Sequence, residues 1–469
     1  MPSSQSVILL EFNELTPRLM DRFMSEGHLP NFQRFHDEAQ IYVTDAECEG
    51  EDLNPWIQWV TVHSGLSASA HGAKLLSDGH KVRSPAVWDL LSRAGLRVWV
   101  CGSMNPRHDA SLNGYLLPDP WSTATAPYPQ GEFERFYHLV RALVQEHTND
   151  EFALSKLDAV KFMWFMATHG LSLSTVRRFV KQLWTEKTKK KDRWKRSALL
   201  DHLQMDLFRH YYRKHKPQFS TFFLNSTAHF QHVYWRAMEP EVFGNKPSDS
   251  ERAEHQNAIL FGYQNMDALL GEFLQMAGSE TTLIFCTALS QQPFLKYEAV
   301  GGKHLYRIKS PHVLSEQLGL TPECTYHPVM SEQFVLRFES LATAERTCEQ
   351  LNGVRLGERK AFTVSLKDLD LMVQCAANDV VAADAVLTTT APERRVPFFD
   401  VFYKVDIVKS GFHHPDGMLW VRRPDREHVV HDDKISLRSI APALLEMFEV
   451  TPPEFMTCEP FTSRGLVGV

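Results

Sequence analysis

The stretch VILLEFNELTP, from Val7 to Pro17, sets a pattern that recurs along the chain. Its short apolar run, residues 7–10, predicts a strand that is buried on both faces. A polar turn at Asn13 and Glu14 follows, and Pro17 is a residue type that begins helices. We therefore expect a helix over residues 18–26. A buried strand, a polar turn and a helix in this order are typical of a parallel α/β unit.

The same order recurs further along the chain. Strands are predicted at 97–101, 220–224, 282–286 and 418–421, and helices at 86–94 and 441–448. Strands that alternate with helices favour a mostly parallel sheet that is covered on both faces. We therefore predict an α/β fold in which helices sandwich a mostly parallel sheet.

Two stretches interrupt the alternation and suggest insertions. Residues 130–216 have helical spacing throughout, and residues 325–385 follow a strand–helix–strand pattern typical of a small α+β cap. The predicted organisation is an α/β core in three parts, 1–129, 217–324 and 386–469, with a basic helical insertion at 130–216 and the cap at 325–385. In the helical insertion, Lys and Arg outnumber Asp and Glu by 18 to 10, so it carries +8 while the remaining chain carries −15.

Composition excludes several classes of protein. The chain has 469 residues, of which 43% are hydrophobic and 23% charged, and this argues against long disorder and fibrous repeats. A net charge of −7 argues against a general nucleic-acid binder. Seven scattered cysteines, with no C-x-x-C pair, suit free thiols in a reducing compartment. No signal peptide or membrane span is predicted, so we expect a soluble cytoplasmic protein.

Common catalytic motifs do not occur in the sequence. It has no G-x-x-x-x-G-K-[ST], no G-x-G-x-x-G, no H-E-x-x-H and no G-x-S-x-G. P-loop chemistry, dinucleotide redox chemistry and the common hydrolase triads are therefore unsupported.

The order of several other segments is more informative. ILLEFNELTP is followed by HLPNFQRF, PWIQWVTVHSGLSASAHG, VWDLLSRAGLRVWV, NSTAHFQHVYW, TLIFCTALSQ and GFHHPDG. In this order the chain resembles the alkaline phosphatase superfamily, and within it the type I phosphodiesterase/nucleotide pyrophosphatase branch. The resemblance spans nearly the whole chain, and it implies an alkaline-phosphatase-like fold with insertions at the two interruptions.

The resemblance also implies a chemistry that this sequence only partly matches. Members of the family hold two zinc ions with Asp and His, and attack phosphate esters with Ser or Thr. Here Asn13 stands at the first Asp and Pro55 near the nucleophile. Only two of six expected ligands remain, His232 and His413. The other non-matching positions are Ala228, Leu289 and Ser290.

Three hypotheses follow from these departures. The ancestral two-metal chemistry is lost, or the site is rebuilt from nearby acids and histidines, or the alignment is displaced by a residue or two. A rebuilt site would hold a single metal, or it would perform acid/base chemistry without metal. The cofactor predicted under that hypothesis is a divalent ion, Zn or Mn, and the alternative is no cofactor at all.

Candidate residues are assigned to three roles, each with a plain structural alternative. Glu11 and Glu14 lie near the carboxyl end of the first strand, where ligand sites collect, although Glu14 could simply favour the next helix N-terminus. His229 and His232 are three residues apart and would share a helix face. Catalytic candidates are Glu14, Glu11 and Asn13; metal candidates are His232, His413 and His229; substrate-binding candidates are Trp56, Gln58, Trp59, His63, Lys187, Lys189, Lys190 and Lys191. The tryptophans could equally be core aromatics, and the lysines a solvated face.

Two functions are predicted from this sequence. The first is hydrolysis or transfer of a phosphate, or similar anionic, ester on a nucleotide, glycan or lipid-linked intermediate. The alternative is an inactive pseudoenzyme that acts as a binding or scaffold protein. Under either, the expected partner is a small anionic substrate and no specific nucleic acid. Peripheral membrane contact through the basic run at 187–196 is compatible with both.

Overall fold

The structure, a computed structural model, describes residues 6–122, 124–145, 155–188, 192–320, 324–329, 332–390 and 393–462. The chain divides into two compact units. The first contains the described residues of Met1–His232, Ala253–Gln292 and Phe412–Val469. The second contains those of Val233–Arg252 and Pro293–Gly411.

Strands occur along the whole chain. Their bounds are β1 Ser6–Phe12, β2 Gln40–Asp45, β3 Val98–Cys101, β4 Gly114–Leu117, β5 Phe219–Leu224, β6 Thr281–Cys286, β7 Ser290–Pro293, β8 Lys303–Ile308, β9 Cys324–Pro328, β10 Phe334–Phe338, β11 Arg355–Leu356, β12 Arg359–Lys360, β13 Phe362–Lys367, β14 Asp370–Cys375, β15 Val386–Thr390, β16 Glu393–Pro397, β17 Phe402–Lys409, β18 Gly411–His414, β19 Asp416–Arg422, β20 Val429–Val430 and β21 Ile435–Ser436.

The α-helices are concentrated in the first unit. Their bounds are α1 Pro17–Ser25, α2 Pro30–Asp37, α3 Pro55–Ser64, α4 Ala68–His71, α5 Val87–Arg93, α6 Glu134–Gln145, α7 Lys156–Thr168, α8 Leu173–Thr188, α9 Ser197–His215, α10 Ser226–Met238, α11 Asp249–His255, α12 Ala258–Met276, α13 Pro311–Leu318, α14 Leu341–Gly353, α15 Phe398–Val401 and α16 Ile440–Glu446.

The first unit is built on one nine-stranded sheet. The strand order is β20-β2-β19-β6-β1-β5-β3-β4, and β21 pairs with β2. β1 runs parallel to both β5 and β6, and β3 runs parallel to β4 and β5. With helices flanking this sheet, the predicted α/β class is confirmed. One strand differs from the expectation: β19 runs antiparallel to its neighbours β2 and β6.

The predicted elements of this sheet agree with the structure to within two residues at each end. Predicted strands 97–101, 220–224, 282–286 and 418–421 are β3, β5, β6 and β19. Predicted helices 18–26, 86–94 and 441–448 are α1, α5 and α16. Central strands are the easiest to predict because β1, β5 and β6 are buried along almost their full length, which requires continuous apolar runs.

The carboxyl ends of the parallel strands meet at one edge of the sheet. β1 leads into Asn13 and Glu14, β3 into Ser103, and β5 into Asn225. The backbone ties these ends together, since Asn13 N–H donates to the Leu224 carbonyl (3.0 Å) and Glu14 N–H to the Thr287 carbonyl (3.2 Å). Open α/β sheets bind their ligands at this edge.

The described part of 130–216 is mainly helical, with α6 to α9, a short 3₁₀ turn at Arg193–Arg196 and short connections between them. α6 packs against α7, and α8 packs against α9. Among the described residues, no helix combines the length and apolar character that crossing a bilayer requires.

The second unit is an α+β structure with its own core. It contains two four-stranded antiparallel sheets, β13-β14-β10-β9 and β12-β11-β15-β16, and the antiparallel pair β8 and β17. α14 packs on β13. Its core contains the stacked rings of Phe398 and Phe402, whose centroids are 4.7 Å apart.

Candidate functional site

Glu14 lies in the turn after β1, in an unusual backbone conformation. Its φ is +61°, in the left-handed region, and its side chain is buried. A non-glycine residue in a sparsely populated backbone region costs about 1 to 3 kcal/mol, and such strain concentrates at functional sites. The hydrogen bond from Glu14 N–H to the Thr287 carbonyl holds this conformation. The turn thereby aims a carboxylate at the edge where the strands end.

Two histidines converge on the Glu14 carboxylate from other elements. His232 lies in α10, which follows β5, and its Nε2 is 3.1 Å from Glu14 Oε2. His413 lies in β18, and its Nε2 is 3.7 Å from the same oxygen. The two imidazole rings are 5.3 Å apart at 75°. One ligand atom from each of the three residues lies within 4.8 Å of the other two, so the group could hold a metal ion.

Electrostatics keep Glu14 ionised despite its burial. Burial by itself raises the pKa of this carboxyl. The charges of His413 and His232, with hydrogen bonds from His232 and Gln291, outweigh burial and lower the pKa of Glu14 to about 2. The carboxylate is therefore present in the form that binds metal.

Neutral amides surround the carboxylate. Asn13 Nδ2 donates to Glu14 Oε1 at 2.8 Å, and Gln291 Nε2 donates to Glu14 Oε2. Gln231 Nε2 donates to the Glu14 carbonyl at 2.7 Å, while its own oxygen accepts from the Tyr263 hydroxyl. These bonds fix the direction of the carboxylate without adding charge.

Asn13 offers the cluster its amide nitrogen. The indole N–H of Trp59, which can only donate, lies 2.8 Å from Asn13 Oδ1. Asn13 Nδ2 therefore donates to Glu14, and to Asn225 Oδ1 at 2.8 Å. The oxygen that could bind a metal is occupied by Trp59. Asn13 is thus placed to orient the carboxylate.

Glu11 forms a second carboxylate–histidine cluster deeper in the sheet. His63 Nε2 is 2.8 Å from Glu11 Oε1, and the Ser103 hydroxyl donates to Glu11 Oε2 at 2.7 Å. His63 packs between the rings of Trp59 and Trp88, at 5.8 and 4.6 Å. Glu11 is 0% exposed and His63 3%. We call Glu11, His63 and Ser103 the sealed cluster, and Glu14, His232 and His413 the open cluster, in which the His232 side chain is 22% exposed.

Helix α3 places the substrate-binding candidates mostly inside the fold. Trp59 and Gln58 are both 0% exposed, and Gln58 Nε2 donates to the Asp52 carbonyl. Trp56 is partly buried and donates to the Lys74 carbonyl. Pro55, the residue near the expected nucleophile, is the first residue of α3. Packing and orientation are therefore the roles these side chains have in the structure.

Of the remaining candidates, His229 and Lys187 are described, and neither belongs to the open cluster. His229 is on α10, is partly buried, and is not one of the three grouped ligands. Lys187 is exposed near the end of α8. Lys189, Lys190 and Lys191 lie outside the described residues.

Several residues of these clusters were not predicted from the sequence. Asn225 directly follows β5, Ser103 follows the end of β3, Gln291 lies in β7, and Gln231 directly precedes His232 in α10. Gln291 follows directly after the two positions where the family's Asp-His is missing, and that position was the one available signal. Neutral amides and hydroxyls carry little sequence signal because they are common in loops.

No protein-family model matches the chain, and no curated protein matches it. Among solved structures, human ectonucleotide pyrophosphatase/phosphodiesterase 5 matches at 9% identity, with 96% of each chain covered and a TM-score of 0.44. Phosphonoacetate hydrolase from Sinorhizobium meliloti 1021, in complex with phosphonoformate, matches at 11% identity over 97% of this chain and 96% of its own, with a TM-score of 0.42. A mutant of the alkaline phosphatase PafA matches at 11% identity over 99% of both chains, with a TM-score of 0.44. These are members of the superfamily that the motif order resembles, and likeness at this level transfers neither an activity nor a ligand set.

Proposed function

We propose that this protein hydrolyses a phosphate, or similar anionic, ester at a single divalent metal site formed by Glu14, His232 and His413. The observation that carries the proposal is the convergence of one ionised carboxylate and two imidazoles at the sheet edge where α/β proteins bind ligands. Substrates of this class include esters on nucleotides, glycans and lipid-linked intermediates.

The donor set suits zinc better than manganese. Two imidazoles and one carboxylate are a common set for catalytic zinc, which leaves a fourth position for water or substrate. Manganese prefers more oxygen ligands. In a tetrahedral zinc site, with bonds of about 2.0–2.1 Å, ligand atoms lie about 3.3 Å apart. The 3.1 and 3.7 Å separations from Glu14 Oε2 to His232 and His413 bracket that value.

The charge of the set favours an anionic substrate. One carboxylate and two neutral imidazoles leave a divalent ion with a net charge of +1, and the surrounding amides add none. When bound, such an ion supplies a Lewis acid for the ester oxygen and a water with a lowered pKa. The residues themselves hold the geometry: Asn13 and Gln291 orient the Glu14 carboxylate, and α10 and β18 deliver the imidazoles.

A water molecule is the attacking group that these side chains favour. Pro55 has no hydroxyl. Both hydroxyl side chains of α3 already have hydrogen-bond partners: Thr61 Oγ1 is 3.2 Å from His71 Nε2, and Ser64 Oγ donates to the Val60 carbonyl at 2.6 Å. We infer direct hydrolysis by water, with no covalent intermediate on the protein.

The test combines elemental analysis with turnover of bis(p-nitrophenyl) phosphate by the full chain. We expect zinc at one ion per chain, and turnover that is abolished by His232→Ala and by His413→Ala. His229→Ala is the matched control, because His229 is on the same helix but outside the open cluster. A protein that binds no divalent ion, or whose turnover survives both histidine substitutions, would overturn the proposal.

An inactive binding protein is the second candidate function. It is supported by the occupied oxygen of Asn13 and by the proline near the nucleophile position, since both remove groups that two-metal chemistry uses. This candidate predicts an absence of turnover with any added metal, together with saturable binding of an anionic ligand such as a nucleoside monophosphate.

We include a cytoplasmic location in the proposal. All seven cysteines are free, and Cys101, Cys286 and Cys375 are buried. Free thiols are kept reduced in the cytosol. Fractionation of cells that express the tagged chain tests this location, and recovery in a secreted fraction would contradict it.

A further inference from the structure

Exposed apolar side chains are concentrated on two helices of the first unit. Of the fifteen large hydrophobic side chains that are exposed in the described part of the chain, eight lie on α7 and α8. Trp164 is 67% exposed and Trp184 69%. Scattered single residues of this kind are ordinary, but a concentration of them marks an interaction site.

Helix α7 has apolar side chains on a buried and on an exposed side, with the exposed pair Asp158 and Lys161 beside them. Phe162, Phe165 and Met166 are buried, and Phe162 packs on Phe136 of α6 at 6.0 Å. The other side exposes a second apolar group: Leu157, Val160, Met163 and Trp164. α6 packs against α7, and these four side chains remain exposed. Exposed apolar groups of this size mark interaction sites, which include membrane-binding surfaces.

Helix α8 mixes exposed apolar and cationic side chains. Its exposed apolar residues are Leu173, Val180, Leu183 and Trp184. Arg177, Arg178, Lys181 and Lys187 are exposed between them. Cations interleaved with Leu, Val and Trp are typical of helices that lie in the interface of an anionic bilayer, where long cationic side chains reach the headgroups.

An open cavity beside α8 is lined by both apolar and cationic side chains. It has a volume of about 730 Å³, and its lining includes Leu183, Trp184, Lys187 and Arg193. Its acid, Glu186, is bound by Arg196, so the lining keeps a positive balance. An apolar wall beside cations matches the chemistry of an anionic lipid, which has a charged headgroup and an apolar tail.

We propose that α7 and α8 dock this protein on an anionic lipid bilayer, with Trp164 and Trp184 inserted at the level of the headgroups. Charge complementarity supports this occupant, because the exposed charges of α8 are cations and the exposed side chains between them are apolar. The inference is independent of the metal site. It relies on the apolar faces, whereas the lysine run alone would give only screened electrostatic attraction.

Sedimentation of the full chain with vesicles tests the proposal. We expect binding to vesicles of phosphatidylcholine mixed with phosphatidylserine, weaker by on the order of tenfold for phosphatidylcholine alone. Trp164→Ser combined with Trp184→Ser should lower binding to the mixed vesicles by at least about tenfold. Both side chains are exposed, so the variant should fold, and circular dichroism checks this.

Two further variants separate the contributions. Leu341→Ser with Val380→Ser removes exposed apolar side chains of the second unit, 50% and 64% exposed, and should leave vesicle binding unchanged. Arg177→Gln with Lys181→Gln should weaken binding to the mixed vesicles and reduce its salt dependence. Brominated phosphatidylcholine in the mixed vesicles should quench tryptophan fluorescence of the wild type but not of the double Trp variant.

Three outcomes would overturn the proposal. The first is a wild-type chain that binds neither kind of vesicle. The second is a double Trp variant that binds the mixed vesicles as well as the wild type does. The third is a wild-type dimer in analytical ultracentrifugation that becomes a monomer in the double Trp variant and ignores vesicles, since a second copy would then cover these faces.

Discussion

The open and sealed clusters pair the same chemical groups but differ in what surrounds them. Glu11 and Glu14 are three residues apart, and each contacts histidine. Glu11 still lies within β1, between β5 and β6, where His63 and Ser103 take up its two oxygens. Glu14 lies beyond the strand end, where the imidazoles of His232 and His413 both approach its Oε2 atom. His232 is also partly exposed to solvent. We therefore interpret the pair inside the sheet as a structural contact and propose the pair at its edge as a metal site.

Metal affinity should separate the two clusters most strongly. Glu14→Gln keeps the shape of the side chain but removes the only anionic ligand, so zinc affinity should fall by about a hundredfold or more. Glu11→Gln should leave zinc affinity essentially unchanged, because Glu11 does not belong to the open cluster. Isothermal titration with zinc measures both. Equal losses in the two variants would erase the distinction.

The free energy of unfolding should depend more strongly on the sealed cluster than on the open cluster. His63→Ala leaves the Glu11 carboxylate buried without its imidazole, which costs about 3 to 5 kcal/mol of unfolding free energy. His232→Ala, at a partly exposed position, should cost clearly less. Urea unfolding of the metal-free protein at pH 7 measures both free energies. If the two variants lose the same unfolding free energy, the sealed cluster is not the structural one.

The reactivity of nearby buried thiols measures how well the sealed cluster is protected from solvent. Burial, with the charge of Glu11, raises the pKa of Cys101 well above its usual range. Burial raises the pKa of Cys286 to about 12. In the native protein, both thiols should react with maleimide far more slowly than the partly exposed Cys458. His63→Ala should increase the reaction rates of the two buried thiols relative to that of Cys458.

Asn13→Asp should make the open cluster depend on metal for its stability. An aspartate keeps the acceptor for Trp59 but replaces the Nδ2 donor with an oxygen facing Glu14 and Asn225. The metal-free variant should lose about 1 to 3 kcal/mol, and zinc should restore most of it. Thermal unfolding with zinc and with chelator measures the difference. A loss that zinc does not reduce would show that position 13 has no access to the ion.

Trp59→Phe should produce the smallest effect, although Trp59 contacts both the sealed cluster and Asn13, which bonds to the open cluster. Its indole donates to Asn13 Oδ1, and its ring stacks on His63. Losing one buried donor while keeping an aromatic ring should cost about 1 kcal/mol of stability. Zinc affinity should change by less than about threefold, because Trp59 is linked to the proposed ion only through Asn13 and Glu14. A larger change in affinity would mean that the clusters are coupled through this ring.

Much of this arrangement could be predicted from local sequence. Continuous apolar runs predicted β1, β5 and β6. Glu11 and Glu14 were both expected at the edge where strands end; Glu14 lies there, whereas Glu11 lies within β1. The antiparallel direction of β19 could not be predicted, because strand direction depends on the connection and not on the apolar pattern. Likewise, the sequence pattern of α7 predicts a helix whether its apolar side chains are buried or exposed. Only the packing of neighbouring elements determines that Leu157, Val160, Met163 and Trp164 are exposed.

By itself, the sequence determined the α/β class, the basic character of residues 130–216 and the residue types available for chemistry, because apolar periodicity and charge are local properties. Only the tertiary structure decided which carboxylate meets which histidine. Glu14, His232 and His413 are far apart in the chain and meet because parallel strands end at one edge, while Trp59 turns the Asn13 oxygen away from them. Such partnerships depend on distances of a few ångströms between distant segments, and no pattern within one segment contains them.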